Sequence, residues 1–172
     1  HPSLIALSNA ECYAGKLLLP PSPFAQTAEF GLLLKKTPRG FYDRGGTSRD
    51  LVQAEALAKA VAEHIRNARH KSLGVACLSS HQRDAVDDMS DKLGIRSDVE
   101  EFLPKGDRER LFVKNLEAIQ GDERDVIFIS VGYGVAPNHK EPFLNFGPVS
   151  KEGGERRLNV LASRARERCV VF

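Results

Sequence analysis

The sequence predicts an α/β protein built on a mainly parallel sheet, and three observations carry that expectation. Short apolar runs rich in β-branched residues occur at residues 73–78 and 125–130, the pattern of strands buried on both faces. Stretches with helical apolar spacing lie before and between them, the clearest at residues 51–67. Strand-like and helix-like segments alternate along the chain, as parallel strands require, because each needs a long crossover connection.

Taken in order, residues 3–14 carry Leu4, Ile5, Leu7, Ala10 and Tyr13 at helical spacing, and Gly15 ends the helix. Pro20, Pro21 and Pro23 mark an extended connection. Residues 32–34 and 40–42 read as strands around a Pro38-Arg39-Gly40 turn. Asp50 caps a long helix with Leu51, Ala54, Leu57, Ala58, Val61 and Ile65 on one face. After the strand at 73–78, residues 82–93 read as a helix with Gly94 just past its end. Residues 111–114 form a short strand, and the polar turn Gln120-Gly121-Asp122-Glu123 opens onto the strand at 125–130. Residues 133–150 have no long periodic run and read as a loop. An arginine-rich helix over residues 154–166 and a final strand at 169–172 complete the order. No internal repeat or low-complexity tract appears.

At 172 residues, one domain able to bury a substantial core is expected. The content is 41% hydrophobic and 28% charged, as in ordinary globular proteins. A net charge of +2 argues against a wholly basic nucleic-acid binder but leaves room for a local basic groove. No apolar run approaches the ~18 residues of a membrane span, so no membrane partner is expected. No signal-peptide pattern opens the chain, and cytoplasm is the expected compartment. Cys12, Cys77 and Cys169 lie far apart without zinc spacing, and no metal site is expected. His64, His70, His81 and His139 form no evident metal or nucleophilic site. The nine phenylalanines are scattered and read as core, with no paired aromatic motif.

Two segments carry chemistry. In residues 154–166, GERRLNVLASRAR, four arginines fall within eleven positions alongside Leu158, Val160, Leu161 and Ala165. An arginine held at the edge of a half-buried helix suits phosphate, because guanidinium is planar, permanently charged and able to fork onto two oxygens. The bland alternative is an amphipathic surface helix with solvated arginines. In residues 116–130, Gly121 would let backbone approach a phosphate, and Gln120 and Glu123 would bond a base or a sugar hydroxyl; alone, such a turn is most often structural. No G-x-x-x-x-G-K-[ST] phosphate loop occurs: Gly45-Gly46-Thr47 lacks the lysine and the spacing. No acidic pair follows an apolar strand to hold magnesium, so half of a nucleotide hydrolase is missing.

Together the two segments resemble the last two motifs of superfamily 1 helicases, most closely the branch of the up-frameshift RNA helicases and their bacterial relatives. Gln120-Gly121-Asp122-Glu123-Arg124-Asp125 is similar to motif V, and the run from Arg156 to Arg166 is similar to motif VI, with departures at Leu161, Ala162 and Ser163. Residues 74–82 resemble motif IV, with Ser79-Ser80-His81 replacing the usual Thr-Pro-Tyr before Gln82. His1-Pro2-Ser3-Leu4 and Tyr13-Ala14-Gly15-Lys16-Leu17 look like the segment that follows a Tyr-Arg pair in relatives.

The resemblance implies that residues 1–172 are the second RecA-like domain of a two-domain motor, with the first domain upstream and ATP in the cleft between them. Arg164 would be the arginine finger, and Gln120, Gly121 and Glu123 would line the nucleotide. Arg157 would either anchor the motif helix by pairing with carboxylates or support the site, and the other arginines would be structural. Asn115 and Leu116, with Ser79 and Ser80, would touch single-stranded nucleic acid, DNA favoured over RNA. Magnesium ligands are expected on the first domain. The implied activity is ATP-dependent helicase action by the full-length protein, with this piece inactive alone. The alternative is a degenerate nucleic-acid-binding or interaction module without turnover.

Overall fold

A computed structural model describes residues 1–23, 27, 29–37, 40–102, 110–141 and 145–172. Part of the Pro38-Arg39-Gly40 turn lies outside these residues. Helix α1 spans Pro2–Tyr13, capped by His1, whose Nδ1 accepts from the Ser3 N–H at 3.1 Å. It ends when Ala14 enters the left-handed region at φ 51 and the Gly15 N–H turns back to Asn9 O. The Ser3 hydroxyl accepts from the Leu32 N–H at 3.0 Å, which ties α1 to strand β1, Gly31–Leu34. Residues 40–42 form no strand; the Tyr42 N–H bonds the Val135 carbonyl within irregular chain.

Helix α2, Leu51–Asn67, starts where expected, because the Asp50 carboxylate accepts from the Gln53 N–H at 2.9 Å. Strand β2, Leu73–Cys77, is buried throughout. Helix α3, Ser80–Lys92, begins two residues before the expected start, because Ser79 takes the cap and accepts from the Gln82 N–H. Helix α4, Ile95–Phe102, was not expected from the sequence. Gly94 at φ 67 reverses the chain, and Ile95 and Val99 are the apolar residues that anchor α4 to the core. Two anchors four residues apart are too sparse to register as a periodic pattern. Strands β3, Leu111–Asn115, and β4, Arg124–Ser130, follow.

The arginine segment departs from expectation. Helix α5 covers only Gly154–Ala162, and strand β5, Ala165–Val171, begins four residues before the expected strand start. Arg166 therefore lies in a strand. The ladder decides this: Ala165 pairs with Arg124, and residues 168–171 pair with both β1 and β4, so the helix must end in time to feed a central strand. Ser163 Oγ and Arg164 Nε both donate to the Val160 carbonyl, at 3.0 and 2.9 Å, and close the helix end.

Among the described residues the five strands are all parallel, in the order β1-β5-β4-β2-β3. Helices flank both faces, an α/β fold consistent with a RecA-like domain. Alternation sorts the strand residues. Leu73, Val75, Cys77, Val126, Phe128, Val170 and Phe172 meet α2, α3 and α4, while Ala76, Ile127, Ile129 and Cys169 meet α1 and α5. Gly74 lies where any side chain would collide with Phe112 and Ile127, its missing Cβ position standing 2.4 Å from the Phe112 ring. Among the described residues no helix is long and apolar enough to cross a membrane.

Candidate functional site

Because every strand runs the same way, the sheet has an amino edge and a carboxyl edge, and the sequence-predicted residues divide between them. At the amino edge the turn before β4 meets the start of β5: the Arg124 N–H donates to the Arg164 carbonyl at 3.2 Å. The turn is closed by the Asp122 N–H to Ile119 O, with Gly121 at φ 87 in the position that demands glycine. Among the described residues, its two chain neighbours aside, no atom lies within 4 Å of where a Gly121 Cβ would stand, so the backbone there is open to an approaching group. Gln120 and Glu123 are exposed on the same turn.

Arg164 is half-buried at this edge. Its Nε is committed to Val160 O, which fixes the plane of the guanidinium. Among the described residues its terminal nitrogens make no hydrogen bond or ion pair. Arg166 reaches the turn itself, with its Nε 3.6 Å from Glu123 Oε2. Arg166, expected from the sequence to be structural, is brought beside the turn by the early start of β5.

The carboxylates here are already engaged. Asp122 pairs with Lys114 at 2.7 Å and with Arg124 at 3.9 Å. Burial pushes the Asp125 carboxyl up, but bonds from the Ser72 N–H and hydroxyl outweigh it and hold the group below its ordinary value. An apolar concavity of about 640 Å³ adjoins the edge, lined by Leu4, Ile5, Pro20, Phe30, Ser163 and Arg166 among others.

Arg157 stands apart from this group. Its guanidinium donates to the Pro148 carbonyl at 3.1 Å, about two helical turns from Arg164. It staples α5 to the 3-10 turn Gly147–Ser150, a supporting position, and the bond is to a carbonyl rather than a carboxylate. Gly154 makes that junction possible, because a Cβ there would stand 1.8 Å from Val149 O.

The carboxyl edge gathers the other set. Cys77 is level with both Asn115 and Ser130, so β2, β3 and β4 end together. Asn115 Nδ2 donates to Ser80 Oγ at 2.9 Å, while its Oδ1 accepts from the Ala118 N–H at 3.0 Å. Leu116 is 5% exposed and packs in the core, so it offers a ligand only its backbone. Behind these residues lies a buried polar clamp. Gln82 accepts from the Asp50 N–H at 2.8 Å and donates to the Asp50 carbonyl at 3.0 Å. Gln53 accepts from the Ser130 hydroxyl and the Gly132 N–H. Burial pushes the Asp50 carboxyl up, against the backbone bonds from Gln53 and Val52.

An aromatic cluster that no sequence motif signals also stands at this edge. Tyr42 and Tyr133 have ring centroids 5.2 Å apart, and Phe146 stands edge-on to Tyr133 at 5.9 Å. The three residues come from two separate loops, so no spacing rule connects them. Among the described residues no group of three His, Cys, Asp or Glu side chains converges to hold a metal. Burial pushes the Cys77 and Cys169 thiols up to about 12, which leaves them unreactive.

No protein-family model matches the chain. It is similar to an uncharacterized ATP-dependent helicase of Mycoplasma genitalium, 34% identical over 173 residues, covering 98% of this chain and 15% of that protein. It is likewise similar to the Mycoplasma pneumoniae homologue of that helicase, 32% identical over 174 residues, covering 99% of this chain and 15% of that protein. The chain thus spans about 15% of the length of the relatives it matches, and both are named ATP-dependent helicases.

Proposed function

We propose that this chain is the second RecA-like motor domain of an ATP-dependent nucleic-acid helicase of superfamily 1, in the up-frameshift-like branch, and that Arg164 is its arginine finger. One observation carries the reading. Arg164 is held by its Nε, with its terminal nitrogens unpartnered among the described residues, and its backbone carbonyl is bonded to Arg124, just past the open glycine turn. A guanidinium fixed in plane with its fork free is prepared for an anionic ligand at little further ordering cost.

The donor set fits a triphosphate. Arg164 and Arg166 supply positive charge, Gln120 and the Gly121 backbone supply neutral contacts, and Glu123 supplies an acceptor for a ribose hydroxyl. ATP would supply a γ-phosphoryl group whose transfer to water releases energy. Arg164 would neutralise charge developing on that group, and Gln120 would orient its oxygens. Asp122 and Asp125 are bound to cations and donors, which suits magnesium held by carboxylates of an upstream domain. The carboxyl edge, with Asn115, Ser79, Ser80 and the Leu116 backbone, would bear on phosphate and sugar of a single strand, DNA favoured over RNA.

The test is Arg164→Ala in the full-length protein. Loss of a finger reduces turnover by roughly 10³- to 10⁵-fold. ATP binding should survive, and Arg164→Lys should not restore turnover, because lysine lacks the fork. Near-normal hydrolysis by Arg164→Ala would remove the assignment. A degenerate binding module without turnover is the second reading, favoured by Ser79-Ser80-His81 at motif IV. It would show as strand binding with no nucleic-acid-stimulated hydrolysis by the unaltered full-length protein.

A further inference from the structure

We propose that the pocket bounded by Tyr42 and Tyr133 receives one nucleobase of the bound single strand. The proposal rests on the nucleic-acid reading of the carboxyl edge and adds to it a contact with a base rather than with the backbone.

The pocket has a volume of about 180 Å³ and is lined by Tyr42, Arg44, Tyr133, Gly134, Asn145 and Gly147. Its wall is chemically suited to a flat heteroaromatic ring. Tyr42 and Tyr133 are tilted 49° to each other, and both rings are only half-buried. Arg44 brings a planar cation, and Asn145 brings an amide whose Nδ2 can donate, its oxygen already accepting from the Gly147 N–H at 3.1 Å. Two of the six lining residues are glycines, so no side chain of theirs occupies the space. Gly147 is compelled: at φ 59, a Cβ there would stand 2.3 Å from the Tyr133 hydroxyl.

Rigidity supports the assignment. The Tyr42 N–H is bonded to Val135 O at 3.0 Å, and Phe146 packs edge-on against Tyr133. Gly132, one residue before Tyr133, stands against Gln82 of the buried clamp. A stacking platform held from behind loses little freedom when a base lands on it.

Position supplies the strongest argument. Asn115 ends β3, Ser79 and Ser80 follow the end of β2, and Tyr133 follows the end of β4, on neighbouring strands in the order β4-β2-β3. Asn115 bonds Ser80, and Gly132, next to Tyr133, stands against Gln82 of the same helix. The polar groups and the aromatic pocket therefore form one continuous line across the carboxyl edge, roughly 10 Å wide over two strand spacings. A strand whose backbone lies along Asn115 and Ser80 brings a neighbouring base to the pocket. Stacking on an aromatic face is sequence-tolerant, so any base is accepted.

The experiment measures binding of the full-length protein to short single strands carrying one abasic site, moved position by position. For the unaltered protein, one position should weaken binding by about 5- to 100-fold. Tyr42→Ala should abolish that position dependence, and Tyr42→Phe should keep it. Tyr42→Leu retains apolar bulk but no aromatic face, and, with folding checked by circular dichroism, it should lose the position dependence as Tyr42→Ala does. The salt dependence of binding should be the same in all variants, because no phosphate contact is lost. If no position is sensitive, or if Tyr42→Leu keeps the sensitivity, the pocket does not hold a base. If the unaltered protein binds no single strand at all, the nucleic-acid reading of this edge fails first.

Discussion

Gln82 offers the most direct test of how this edge is held. Its side chain is 0% exposed and bridges the backbone of Asp50, accepting from the N–H and donating to the carbonyl. Gln82→Leu keeps approximate volume and removes both bonds. The two Asp50 groups then differ. The carbonyl keeps the Ala54 N–H at 3.0 Å, so it loses only a second bond, worth about 0.5–1.5 kcal/mol. The N–H is left buried without that partner, which costs about 1–3 kcal/mol. Together the loss is about 1.5–4.5 kcal/mol. For a chain of this size that corresponds to a fall in Tm of about 5–15 °C. Urea unfolding should show a lower midpoint with an unchanged slope, the signature of lost stability rather than an altered unfolded state. Gln82→Glu should also destabilise at neutral pH, because a carboxylate cannot donate to the carbonyl, and should recover in part on acidification. A loss below about 0.5 kcal/mol for Gln82→Leu would refute the clamp, since two buried bonds cannot vanish at that size of effect.

Three further outcomes are expected. Gly154→Ala, which places a methyl 1.8 Å from Val149 O, should destabilise by about 3 kcal/mol or more in thermal melting; a change within 1 °C would contradict the packed junction. Burial is the main cause that lowers His64 below its ordinary 6.5, so the folded state resists its protonation. Its contribution is intact above 6.5 and is lost as pH falls through the depressed value, while the raised Asp50 and Asp87 carboxyls act oppositely at lower pH. Stability measured from pH 7.5 down to about 5.5 should fall, and His64→Gln should flatten the profile; an unchanged slope would acquit His64. Finally, the 172-residue chain alone, checked for folding by circular dichroism, should hydrolyse no ATP above background; clear turnover would overturn the split-site reading.

Strand and helix identities were legible where one periodicity ran unbroken. Asp50 before Leu51, Ala54, Leu57 and Ala58 specified the start of α2, and the run at 125–130 specified β4. The end of α5 was not legible. Residues 163–166 continue the helical pattern, and pairing of β5 in the sheet, from Ala165 against Arg124 onward, stops the helix. Helix α4 was hidden because two apolar anchors carry it.

For the site, local sequence was sufficient to nominate Gln120, Gly121, Glu123 and Arg164, since each motif is a contiguous stretch. It also nominated Asn115 with Ser79 and Ser80. What local sequence cannot specify is which residues share an edge. Parallel pairing brings the 120–123 turn to Arg164 and Arg166 at one end and separates them from Asn115 and Ser80 at the other. It also turns Leu116 inward, moves Arg157 to a supporting bond with Pro148, and assembles Tyr42 with Tyr133. The physical reason is common to all of these: periodicity reports which face of its own element a residue occupies, whereas long-range strand pairing alone decides which elements end side by side.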